Sequence, residues 1–186
     1  MNKILLSTFA KLLTYPREEY SVYCRTALKE LENLLTENPE KKEFYERAIS
    51  KMEIFVSEIA VKTLGEREET FTQTFDINPI GNLEVGWHLY GEQYERGAFL
   101  VTCRELLRKY NIEETVELPD HVSHLIVLIS EMEKVEAEKI ASQYVLPAVE
   151  KVLLKLSEKQ NVYENLLSAI KEILIAELEI GVKNYA

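Results

Sequence analysis

The chain has 186 residues and a formal net charge of −10, from 22 Lys and Arg against 32 Asp and Glu. An apolar share of 46% with 29% charged residues describes a folding, water-soluble chain and excludes a disordered one. The acidic surplus sets the chain against a phosphate backbone, so nucleic acid is not an expected partner.

In chain order, the N-terminal run "MNKILLSTFAKLL" places Lys3 before apolar residues as a secretory signal would. Lys11 interrupts it and no small-x-small cleavage site follows, so it reads as a first helix. Residues 18–36 carry Val22, Leu28, Leu31 and Leu35 at helical spacing. Over 40–64, Phe44, Ala48, Met52, Phe55, Val56 and Ile59 recur at steps of three and four. Pro39 stands ahead of that pattern and Gly65 is read as its stop.

Two stretches break the periodicity, "TFDINPIGN" (Thr74–Asn82) and "NIEETVELPD" (Asn111–Asp120), and both read as loops. Between them, Leu83, Trp87, Tyr90, Tyr94, Ala98 and Val101 form a stripe read as a core face. Gly86, Gly91 and Gly97 interrupt it, each at about 1 kcal/mol inside a helix. They imply either close helix crossings or a helix that ends at Gly91, with the next opening at Glu92.

Further on, Val122, Leu125, Ile126, Leu128, Ile129 and Met132 predict a helix over 122–137. Leu146 to Leu156 continues with Pro147 at a start or kink, and Val162 to Leu178 completes the pattern. No alternating run predicts a sheet, and no linker or repeat divides the chain. The expected architecture is all-α, one domain over 1–186, a helical bundle of roughly seven to nine helices.

The residues that carry chemistry are few. Cys24 and Cys103 lie far apart without CxxC spacing and read as ordinary buried thiols of a reducing compartment. No nucleophile elbow, P-loop, dinucleotide fingerprint, HExxH or Glu-x-x-His pair occurs, so no enzyme chemistry and no cofactor is expected. The stretch "ELPDHVSH" (Glu117–His124) holds two of the three histidines. One reading is a metal site of His88, His121 and His124, with Cys103 as a further donor. The plainer one is a helix start: Pro119 extends Leu118, Asp120 caps the next helix, His121 lies in its first turn, and His124 is partly exposed.

The region 66–120 holds 12 Asp and Glu against 5 Arg and Lys, a net of −7. It also contains the single Trp. A solvated acidic face accounts for this, and so does a groove for an apolar peptide with basic flanks.

The segments "TFD" (Thr74–Asp76), "HLYGEQYERGAFLVTCRELLRKY" (His88–Tyr110) and "ELPDH" (Glu117–His121) occur in this order within 74–128. Together they resemble the nitrate reductase delta-subunit family, with its NarJ-, TorD- and DmsD-like members. These are all-helical cytoplasmic assembly chaperones without enzymatic activity. The resemblance implies, as partner, the catalytic subunit of a molybdopterin-dependent oxidoreductase, bound through its N-terminal twin-arginine-type signal peptide during cofactor insertion. It points to Asp76, His88, Tyr90, Gly91, Arg96, Gly97, Pro119, Asp120 and His121, to which the aromatic and acidic character of the segment adds Trp87 and Glu92. The stretch "INPIGNLEVGW" lacks the basic run of typical nitrate reductase chaperones, which leaves other molybdoenzymes of the superfamily as implied clients. The expected protein is cytoplasmic, not inserted in a membrane, and a monomer or homodimer. A generic helical peptide-binding adaptor is the alternative alongside the metalloprotein.

Overall fold

A computed structural model describes residues 1–77 and 81–181. It is all-α, with no strand among the described residues. The helices are α1 (Lys3–Leu12), α2 (Tyr20–Glu37), α3 (Lys42–Ala60), α4 (Leu64–Phe71), α5 (Val85–Tyr90), α6 (Tyr94–Lys109), α7 (Val122–Glu131), α8 (Lys134–Ile140), α9 (Leu146–Glu158) and α10 (Tyr163–Leu178). A 3-10 turn at Pro39–Lys41 leads into α3, and a π turn at Thr72–Asp76 extends α4. A second π turn, Ala141–Val145, joins α8 to α9 in one continuous rod, so the described residues form nine rods, within the expected number. Pro147 follows it after Leu146. Having no N–H, Pro147 cannot return an α-type bond to Gln143, and the wider turn takes up the misfit.

The core is built where apolar stripes face each other. α10 packs against α3 and α9, α2 against α3 and α1, and α1 against α7. At its centre Phe71, Phe75 and Tyr163 pack edge to face, with Phe75 and Tyr163 centroids 4.8 Å apart, and Tyr20 and Phe55 pack onto them at a tilt. The Tyr20 hydroxyl, fully enclosed, donates to the Leu12 carbonyl at 2.7 Å and so leaves no buried donor unpaired. Cys24 and Cys103 are buried, as their spacing implied, and burial pushes the thiols up to about 11 and about 12.

Several boundaries differ from the sequence expectation for local reasons. α3 ends at Ala60, and Gly65 is not its stop but lies in the first turn of α4. Thr63 and Glu66 form a reciprocal capping box there, with Glu66 accepting the Thr63 amide at 2.7 Å, and that start signal overrides the glycine. The helix predicted over 122–137 breaks after Glu131, at Met132–Glu133, so that Met132 and Ala137 both turn inward. The loop predicted from Thr74 begins later, since Thr74–Asp76 are helical, and Asn78, Pro79 and Ile80 lie outside the described residues. The loop over 111–121 is as expected.

The aromatic stripe is not continuous. Gly91, at φ 59°, ends α5, and the turn to Gln93 resets the phase. α6 therefore buries Phe99, Cys103 and Leu107, while Tyr94 is 90% exposed and Ala98 and Val101 face solvent.

Candidate functional site

Two of the three resembling segments, His88–Tyr110 and Glu117–His121, meet at the junction of α5, α6 and the start of α7, while Thr74–Asp76 lies apart in the π turn after α4, with Phe75 in the aromatic centre. The strand-like stretches before α5 and α7 cross in an antiparallel bridge between Glu84 and His121. The Val85 amide donates to the Asp120 carbonyl at 3.0 Å, and the Val122 amide to the Leu83 carbonyl at 2.8 Å.

Asp120 caps a helix, but not the one that follows it. Its Oδ2 accepts the Gly86 amide in the first turn of α5 at 2.8 Å. The structure thus corrects the expected role: the backbone bridge turns the carboxylate across the junction, where α5 has two open amides and no side-chain cap of its own. The N-cap of α7 is His121, whose Nδ1 accepts from the Ser123 amide at 3.2 Å, so His121 stands before the first turn and not within it. The Ser123 hydroxyl also lies 2.7 Å from Nδ1. The amide contact needs a lone pair there, so the hydroxyl donates too and the ring proton is on Nε2, 4.0 Å from Glu117. Burial, with His124 adding to it, pushes the His121 pKa down to about 3 and keeps the ring neutral.

His124 is not partly exposed but 4% exposed. Its Nδ1 donates to the Leu118 carbonyl at 2.9 Å, and its Nε2 accepts from the Thr115 amide at 3.2 Å. It fastens the 111–121 loop to α7, because the loop's own backbone groups have no helix to pair with.

Asp120 has no exposed surface and His121 only 6%, so neither side chain is open to a partner in this conformation. Pro119 is buried beside them. Arg96 on α6 binds Glu84 at 2.6 Å and stacks 5.3 Å over the Trp87 ring. Arg96 Nε and Asp120 Oδ1 are both buried without a hydrogen-bond partner. Burial raises the Asp120 carboxyl, and the Gly86 amide and the Arg96 charge hold it back. Burial also raises Glu84, against Arg96. Pro119, Asp120, His121 and Arg96 therefore belong to a knot that fixes α5, α6 and α7 relative to each other.

The remaining expected residues surround the knot. Trp87, His88 and Tyr90 are half-buried, while Asp76 and Glu92 are exposed. His88 Nε2 donates to the Asn82 carbonyl at 2.7 Å. The three histidines do not converge, and among the described residues no group of three or more His, Cys, Asp and Glu is placed to hold a metal ion. The acids of the −7 region are mostly on the surface, and Asp120 alone among them is buried.

Beyond Tyr90 lies a cavity of about 340 Å³ between α6, α7 and α8, lined by Tyr90, Phe99, Leu106, Leu125, Ile140 and Tyr144. Phe99 packs 5.7 Å from Tyr90 and 5.0 Å from Tyr144, ring centre to ring centre. Its size falls in the range of about 300–1,000 Å³ usual for ligand pockets. Glu92 stands exposed on the turn after Tyr90 and Glu95 in the first turn of α6, near Tyr90, while Glu136 stands at the wall, bound by Lys109 and the Tyr110 hydroxyl. Tyr144 comes from the π turn, a widened turn often found at functional places. Phe99 belongs to the motif segment and its spacing from Cys103 and Leu107 could have marked it. Tyr144 and Ile140 have no local signal that ties them to Tyr90. No protein-family model matches the chain, and no curated protein matches it.

Proposed function

We propose that the chain is a cytoplasmic, non-enzymatic maturation chaperone. It binds the catalytic subunit of a molybdopterin-dependent oxidoreductase through a twin-arginine-type signal peptide, before export or assembly. The observation that carries this reading is the aromatic cavity between α6, α7 and α8, lined by Tyr90 and Phe99 of the motif segment, with Glu136 in its wall and Glu95 near Tyr90. A signal peptide offers an apolar stretch and two guanidiniums. The cavity takes the first, and carboxylates at its rim meet the second. Each exposed ion pair contributes about 0–1 kcal/mol, so apolar burial supplies most of the affinity and the acids direct the encounter. The cavity between α1, α2 and the 111–121 loop, about 280 Å³, suits such a ligand less, since it sets two cations, Lys11 and Arg17, against the single acid Glu117, whereas the aromatic cavity has one of each, Lys139 and Glu136.

Isothermal titration with a client signal peptide tests the reading. Saturable binding is expected, at least tenfold weaker in Leu106→Lys, which puts a cation into the cavity, while circular dichroism stays unchanged. A peptide with both arginines replaced by glutamine is expected to bind several-fold more weakly. Equal affinity for it would favour the generic adaptor, and absence of binding to both the peptide and the whole apo-subunit would exclude the chaperone.

A further inference from the structure

Arg67 on α4 is a half-buried cation set into the fold without a counter-charge. Its Nε donates to the Ile59 carbonyl near the end of α3, and its Nη1 to Ser21 Oγ on α2, each at 3.0 Å. Nη2 makes no hydrogen bond, and no carboxylate pairs with this guanidinium among the described residues. Arg25, on α2, is exposed and likewise unpaired among them. Both guanidiniums act on the Cys24 thiol, which lies close to each.

These side chains enclose a cavity of about 150 Å³. Ser21, Cys24, Arg25 and Arg67 form its polar lining and Val56, Ile59 and Ala60 its apolar wall. No acid lines it, although the chain carries a net charge of −10. Ser21 uses an oxygen lone pair for Arg67, and its own proton makes no bond to the protein. Arginine only donates. Arg67 Nη2, the Arg25 guanidinium and the Ser21 hydroxyl proton thus line a cavity with no hydrogen-bond acceptor paired to them among the described residues, and a ligand that only accepts complements that set.

We propose that this cavity is a binding site for a small oxyanion, an inorganic phosphate or a short-chain carboxylate, held by Arg67, Arg25 and Ser21. At about 30 Å³ of liquid volume per water, the space holds about five waters, which matches either ligand. The forked guanidinium of Arg67 binds two oxygens, Arg25 closes the mouth, and the apolar wall receives the tail of a carboxylate. Ile59 takes Nε and Ser21 takes one Nη1 proton, which leaves Nη2 and the second Nη1 proton for the ligand.

The test is a titration of the full chain with inorganic phosphate and, separately, with butyrate, at ionic strength held constant with chloride. Amide and arginine Nε–Hε resonances are followed by NMR. Saturable shifts are expected at Ser21, Cys24 and Arg67, with a millimolar Kd that weakens at least fivefold in Arg25→Gln and in Arg67→Lys. Saturation by one ligand alone supports the site and assigns it to that class, and saturation by both supports oxyanion recognition in general. Non-saturable shifts, shifts that chloride reproduces, or an unchanged Kd in Arg25→Gln overturn the proposal. Arg25 is exposed, so its variant decides the matter even where Arg67→Lys loosens the fold.

Discussion

His121 shows how a single position can be assigned by its neighbours. As a lone residue in "PDHVS" it is an ordinary histidine. In the fold it is the N-cap of α7, sealed from water and neutral. Its folded pKa of about 3 lies below the ordinary value of 6.5, so the unfolded chain takes up a proton that the folded one refuses. This contribution to stability is fully present above about pH 6.5 and is lost as pH falls towards 3, amounting to about 2 kcal/mol by pH 5. His121→Asn keeps an acceptor suited to the N-cap and removes the titration. Urea unfolding at pH 7 and pH 5 is expected to show a loss about 2 kcal/mol larger for the natural chain than for the variant, and equal losses would refute the assignment. The carboxyls of Asp120, Glu84 and Glu117, raised by burial, act in the opposite sense and favour the fold on acidification. They are present in both proteins, so the comparison isolates the histidine.

At the scale of elements, α5 is a short helix held by its crossing with the start of α7. A Cβ on Gly86 would stand 2.7 Å from Asp120 Oδ2 and 3.1 Å from Phe99 Cδ1, while one on Gly97 would meet nothing within 4 Å. The two glycines of one segment therefore have opposite reasons to exist. Gly86→Ala is expected to destabilise by about 1–3 kcal/mol, since the carboxylate must leave the amide it caps. Gly97→Ala is expected to stabilise by up to about 1 kcal/mol, because it adds helix propensity on an exposed face. Denaturant midpoints check both, and a neutral Gly86→Ala would show that the crossing has slack. Gly97→Ala has a second use: stabilised protein with weakened client binding would place the peptide on that face of α6.

At the scale of the molecule, the aromatic centre of Tyr20, Phe55, Phe71, Phe75 and Tyr163 joins residues from α2, α3, α4 with its π extension, and α10, while Trp87 reports on the distant α5–α7 junction. Unfolding followed by Trp87 fluorescence and by far-ultraviolet circular dichroism is expected to give one coincident transition. Separate midpoints would show that the junction unfolds on its own. No helix among the described residues is long and apolar enough to cross a membrane.

Local chemistry by itself determined the all-α class, most of the helices, the loop over 111–121 and the burial of both cysteines. Each follows from periodicity, caps and composition within a short window. The helix after "ELPD" was legible as well, but not which helix Asp120 caps, because a carboxylate can answer any open amide its backbone turns it towards. The phase of α6 was hidden for a related reason: the three turn residues Gly91 to Gln93 rotate every later side chain. The tertiary structure alone decided that His124 is a fastener, that Glu84 is the partner of Arg96, and that Tyr90 shares a cavity with Tyr144. It also placed Arg67 and Arg25 around one space. Those pairings depend on helix packing, which sums weak contacts over the whole chain, and no stretch of it carries that sum alone.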